Sequence, residues 1–141
     1  MISKKEIKLS TPGNEMYFSL SEFEHVAADS SIKFVLNARS QYLEIHNFSF
    51  YSEMYKFKQL LNGITNIYNT LTGEIKLSEI IEHDLIKISG NKIGQLFIYC
   101  EVYCYGELDD VCKLGFQADQ SYLPSFIEMI RDVYSDLKIE H

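Results

Sequence analysis

The chain has no tryptophan, two prolines (Pro12 and Pro124) and three cysteines in 141 residues. Three is an odd number, and the cysteines cluster at Cys100, Cys104 and Cys112, so no disulfide framework is evident. Reduced thiols point to the cytoplasm. Seven glycines are scattered and form no phosphate-binding loop, so no cofactor is expected. The charged start, Met1 to Lys8, is not followed by the apolar run of roughly 7–15 residues that a secretory signal needs. Nothing approaches the roughly 20 apolar residues of a membrane span. Basic residues are also few, 13 against 20 acidic, giving a net charge of −7. That balance is unsuited to binding nucleic acid directly, where affinity comes from Lys and Arg on phosphates. It suits a basic partner.

Catalytic and metal signals are missing as well. His25, His46, His83 and His141 stand in no motif with a nucleophile or a metal-ligand spacing. His83-Asp84 reads as a solvent-facing loop pair. Cys100 and Cys104 lie roughly 13 Å apart on one strand, too far to share an ion. An all-cysteine zinc site would also need a fourth thiolate. The three cysteines read as buried, reduced thiols, with Cys104 able to lie opposite Cys112. The chain is not expected to be an enzyme.

What is present is apolar and aromatic: 46% hydrophobic residues, with 10 Tyr and 9 Phe. That excludes disorder. The length fits one domain, 1–141, able to bury a sufficient core without staples. Segments 7–9 and 16–20 are short strands around a turn at Thr11-Pro12-Gly13-Asn14. Segment 32–38 alternates Ile32, Phe34, Leu36 and Ala38 against Lys33, Val35 and Asn37, a half-buried strand. Strand 42–50 begins with Leu43 and Ile45 inward, then switches parity to Phe48 and Phe50, which predicts a bulge near His46-Asn47. Met54, Phe57, Leu60, Leu61, Ile64, Ile67 and Tyr68 recur at helical spacing over 53–70, with Ser52 as the N-cap. Gly63 weakens that helix by about 1 kcal/mol relative to Ala.

Strands follow at 74–81, 84–89, 93–105 and 111–118. A final helix then carries Leu123, Phe126, Ile127, Met129, Ile130, Val133, Tyr134 and Leu137 on its apolar face. Asp119 or Ser121 caps it, and Pro124 sits in the first turn, where proline is tolerated. The two helices correspond at an offset of 69, Met54 to Leu123, and Leu43 and Ile45 correspond to Cys112 and Leu114. The expected fold is α+β: an antiparallel sheet of about six to eight strands with two long helices on one face, built from two strand–strand–helix halves.

Strand 93–105 carries the strongest candidate site. Its odd positions are Phe97, Tyr99, Glu101, Tyr103 and Tyr105. An open face of tyrosines buries well against a partner while keeping polar tips. Acids gather beside it: Glu107, Asp109 and Asp110 in one loop, Glu79, Glu82 and Asp84 in the other. The expected partner-binding residues are therefore Tyr99, Glu101, Tyr103, Tyr105, Glu107, Asp109 and Asp110.

The stretch Lys113-Leu114-Gly115-Phe116-Gln117-Ala118-Asp119-Gln120-Ser121-Tyr122-Leu123 resembles the late strand-to-helix junction of WapI-type bacterial immunity proteins. The similarity extends over residues 84–137. It implies a cytoplasmic antitoxin that binds and occludes a cognate toxin domain, often a basic nuclease. An inhibitor charged −7 would suit such a target. No contact residue carries over from the family. Two rival functions are a small-molecule module or enzyme using a cavity between sheet and helices, and a homo-oligomeric structural subunit joined through the aromatic face.

Overall fold

A computed structural model describes residues 1–80, 83–104 and 109–140. The chain runs β1 (Ile2–Ser3), β2 (Ile7–Ser10), β3 (Tyr17–Val26), β4 (Ser31–Arg39), β5 (Glu44–Glu53) and α1 (Met54–Thr70). It continues through β6 (Gly73–Ser78), β7 (Leu85–Gly90), β8 (Gln95–Cys104), β9 (Asp110–Asp119) and α2 (Leu123–Leu137). The fold is α+β, with every strand pair antiparallel. The strands form two sheets, β1/β2–β3–β4–β5 and β6–β7–β8–β9, each finishing in a helix. The helix follows β5 without a break, so β5 and β6 meet only at their ends. There Ser52 bridges Glu79, the Ile80 N–H donates to the Tyr51 carbonyl at 3.0 Å, and Ser52 Oγ donates to the Ser78 carbonyl at 2.7 Å.

The two halves repeat with one interruption. Helix starts differ by 69 residues (54 and 123), but the preceding strands start 66 apart (44 and 110). The difference is a three-residue 3-10 turn, Gln120–Tyr122, between β9 and α2. Phe48 and Phe50 thus match Leu114 and Phe116. The expected match of Leu43 to Cys112 fails, because Leu43 precedes β5 and is exposed.

The bulge falls where the parity change put it. Leu36 pairs with Phe48 and Ala38 with Ile45, so Asn37 faces the two residues His46 and Asn47. Asn47 adopts φ 49°, and its N–H donates to Asn37 Oδ1 at 2.8 Å. Such a left-handed site favours asparagine. Ser52 does not cap α1: it is the penultimate residue of β5, and its hydroxyl is used between the sheets. Asp119 caps the 3-10 turn Gln120–Tyr122, accepting from the Ser121 N–H at 2.7 Å, and not α2 as expected: the α2 N-cap position is Tyr122, which makes no side-chain cap, and Pro124 lies in the first turn of α2.

One hydrophobic cluster joins both sheets and both helices. Phe57 of α1 is its hub, with ring centroids 5.7 Å from Phe23, 6.1 Å from Phe34 and 5.4 Å from Tyr134. The Tyr134 hydroxyl donates to the Phe57 carbonyl, tying α2 to α1. Each such side chain contributes roughly 1.5–3 kcal/mol on burial. Gly63, a weak residue for an isolated helix, is required here. A Cβ on it would lie 2.6 Å from Ile75 Cγ1 of β6. The fit of α1 under β6 outweighs helix propensity. No helix among the described residues is long and apolar enough to cross a membrane.

Candidate functional site: the outer face of the second sheet

Strict alternation divides β8. Leu96, Ile98, Cys100 and Val102 point into the core and are buried. Phe97, Tyr99, Glu101 and Tyr103 point the other way, and no element covers them among the described residues. The strand register extends this face sideways in rows. Lys76, Lys87, Tyr99 and Gly115 form one row, Glu74, Ser89, Phe97 and Gln117 the next, and Ser78, Leu85, Glu101 and Lys113 a third. Tyr103 stands beside Val111. Phe97 is 43% exposed and Val111 49%, high values for apolar side chains.

Two grooves mark the face. One, of about 480 Å³, runs over Gly115 between Phe97, Tyr99, Lys87, Ser89 and Gln117. Gly115 has no side chain to fill it, which leaves the Tyr99 ring uncovered on that side. The other, of about 580 Å³, lies at the β8–β9 end and is lined by Ser78, His83, Leu85, Glu101, Tyr103, Asp109 and Val111.

The tyrosines are held rather than free to rotate. Tyr103 donates to Glu101 Oε1 at 2.9 Å, and Lys113 Nζ lies 3.3 Å from the same oxygen. The hydrogen bond to Glu101 raises the Tyr103 hydroxyl above its ordinary value, and burial does the same for Tyr99. Lys87 lies 5.7 Å from the Tyr99 ring centroid, a cation–π contact. A preorganised aromatic loses less entropy on binding.

The acids gather at one end, since the β6–β7 and β8–β9 connections both leave the sheet there. Asp109 and Asp110 are exposed. Asp84, expected to face solvent, is only 5% exposed. Its Oδ1 accepts the Tyr103 N–H at 2.8 Å, which anchors one acidic loop to the aromatic strand. Burial raises the carboxyl groups of both Asp84 and its neighbour Glu79 above the ordinary range. His83 is exposed, its ring 5.9 Å from that of Tyr103.

The face is therefore divided in charge. Lys76, Lys87 and Lys113 cross its middle, paired with Glu74 or Glu101, while Asp109 and Asp110 are exposed at the loop end and Asp119 at the opposite end of β9. Residues 1–72 carry seven basic and seven acidic side chains; residues 73–141 carry six and thirteen. All of the net −7 belongs to the second half. Five of the expected binding residues, Tyr99, Glu101, Tyr103, Asp109 and Asp110, come together on this face or its loop end. Tyr105 and Glu107 lie outside the described residues, as does Glu82.

The cysteines need correction. Cys100 is buried, and burial pushes its thiol up to about 12. Cys104 is exposed, because β8 outruns the core at its end. Nor does it face Cys112: the register pairs Cys104 with Asp110 and Val102 with Cys112. That register is fixed at the opposite end, where the Gln120 N–H donates to the Gly94 carbonyl at 3.0 Å. Among the described residues, no group of three or more His, Cys, Asp or Glu could hold a metal ion. Phe23, Phe34, Phe57 and Tyr134 pack together between the first sheet and the helices, which counts against a ligand chamber there.

No family model, curated protein or solved structure matches this chain.

Proposed function

We propose that the chain is a protein-binding module of the immunity type, which occludes a basic, nuclease-type toxin domain with the outer face of its second sheet. The observation that carries this reading is the open, fixed aromatic stripe Phe97, Tyr99 and Tyr103 beside exposed acids. Interface cores are rich in aromatics, and their rims are polar. Here the stripe supplies the core, and Asp109 and Asp110 supply an electronegative rim. That rim steers a cationic partner and raises its association rate. Glu101 acts differently from the expectation: with Lys113 and Tyr103 already on its carboxylate, it orients the tyrosine rather than meeting the partner as a lone charge.

The reading is tested by co-expression. A toxin domain encoded beside this gene should arrest growth alone and lose that effect when this chain is present. Tyr99→Ala with Tyr103→Ala should abolish the protection. Continued arrest with the wild-type chain present, or full protection by the double variant, would contradict the proposal.

A further inference from the structure

The four strand edges of the two sheets are not alike. On the first sheet, β5 is interrupted by the Asn47 bulge and its end is tied to Glu79. The other side of β3 carries only the two-residue β1 and the four-residue β2, and α2 reaches that edge, where the Lys8 N–H lies 3.3 Å from Met129 Sδ. On the second sheet, β6 packs over α1 at Gly63. Only β9 is long and regular: its ten pairs with β8, Gln95–Asp119 to Cys104–Asp110, run without a register shift. No strand lies on its other side among the described residues. It holds no proline and a single lysine. Bulges, prolines, short length and charges are how proteins blunt such edges; β9 has no bulge or proline and is long, and its charges are Asp110, Lys113 and Asp119.

Its free hydrogen-bonding groups can be assigned. The Gln120 N–H donates to the Gly94 carbonyl, which makes 94/120 a hydrogen-bonded pair of the ladder. Antiparallel pairs alternate. Residues 112, 114, 116 and 118 therefore bond to β8, and residues 111, 113, 115, 117 and 119 direct their N–H and C=O groups to the open edge. The Asn91 N–H donating to the Gln95 carbonyl agrees, since Gln95 faces Asp119 yet bonds toward β7.

We infer that β9 is a homodimer edge, taking β9 of a second copy of this chain in antiparallel register about Phe116. The charge pattern argues for a second copy. Lys113 and Asp119 are both on the outer face and both on the open-edge set, and antiparallel self-pairing about Phe116 sets each against the other, twice. Gly115 then faces Gln117, and on the inner side the two Phe116 side chains stand opposite each other. Moving the axis to Gly115 sets Asp119 against Val111, and moving it to Leu114 sets Asp119 against Asp109, a like-charge pair. The dimer joins two second sheets into one of eight strands, with both aromatic stripes on the same side and uncovered. It stands independently of the toxin assignment.

Sedimentation velocity of the full chain over a concentration series tests this. The wild type should show a monomer–dimer equilibrium. Gln117→Pro removes only an open-edge N–H, so it should keep the circular dichroism spectrum and be monomeric. Lys113→Asp should weaken the dimer about tenfold, and adding Asp119→Lys should restore it. If the proline variant fails to fold, the charge pair still decides. A wild type that stays monomeric at its highest soluble concentration would overturn the inference. So would a dimer that survives Gln117→Pro, or one that is indifferent to both charge changes.

Discussion

The two halves share a plan, strands in an antiparallel meander followed by a helix, and differ on their outer faces. The first sheet turns Ser21, Asn37 and Ser49 outward, opposite the core positions Leu20, Leu36 and Phe50, while Ser19 on the same side is buried and donates to Glu6 Oε2 at 2.8 Å. Its outward Tyr17 is half-buried, flanked by both Lys8 and Arg39 at 5.0 and 5.4 Å from the ring centroid. Tyr51 spends its hydroxyl on Asp29 at 3.0 Å. The second sheet puts Phe97, Tyr99 and Tyr103 at such positions and carries the whole charge excess. The same scaffold therefore presents one face finished for solvent and one suited to a partner. Scattered exposed apolar side chains are ordinary; a contiguous aromatic patch in a fixed arrangement marks an interaction site.

The helices differ in the same manner. At an offset of 69, Gly63 of α1 corresponds to Asp132 of α2, which is exposed. One position needs no side chain because β6 crosses it, and the other meets water.

Three substitutions and one labelling experiment would break or sharpen this comparison. Phe57→Ala should cost about 3–5 kcal/mol, since it empties the hub shared by the two halves. Denaturant unfolding should still show one transition by fluorescence and circular dichroism alike; a second sheet that persists alone would mean the halves do not share a core. Gly63→Ala should destabilise by about 1–3 kcal/mol through the Ile75 clash, although propensity alone favours alanine. A stabilised variant would show that the α1–β6 contact relaxes freely.

Asp84→Asn should have a smaller effect, with a sign set by pH. A carboxyl whose folded value is raised binds its proton more tightly in the folded state. Its contribution is therefore most favourable in acid and falls as pH rises from the ordinary carboxylate range through the raised value. At pH 7 the asparagine, which keeps an acceptor for the Tyr103 N–H, should be as stable as wild type or more so. The gain should vanish in acid, and melting temperatures across pH 4–7 read it. Least perturbing is thiol labelling of the native protein. Cys104 should react quickly, Cys112 more slowly, and Cys100 only on unfolding; equal rates would contradict the assigned register.

The alternation in 32–38 and 93–105, the helical spacing in 53–70 and the parity change at His46-Asn47 were legible because burial imposes a period on each. The candidate stripe was legible for the same reason, since one side of β8 had to be core. Other features depend on contacts distant in sequence. Gly63 reads as a defect until Ile75 is placed against it. Asp84 reads as a loop charge until the Tyr103 N–H reaches it. The register of Cys104 is decided ten residues away, where Gly94 meets Gln120. The junction of two sheets in place of one was hidden for a similar reason: Ser52 serves as strand and sheet link, and the helix begins two residues later.

The central claim is that the second sheet's outer face, and not the first sheet's, docks the partner. The most direct measurement is the affinity of the chain for the proposed toxin domain, comparing Tyr99→Ala/Tyr103→Ala with Ser21→Ala/Ser49→Ala. The account predicts a loss of about 2 kcal/mol or more, at least roughly 30-fold, for the tyrosine pair and no change for the control. Equal affinities for both variants, or a loss confined to the first sheet, would contradict it.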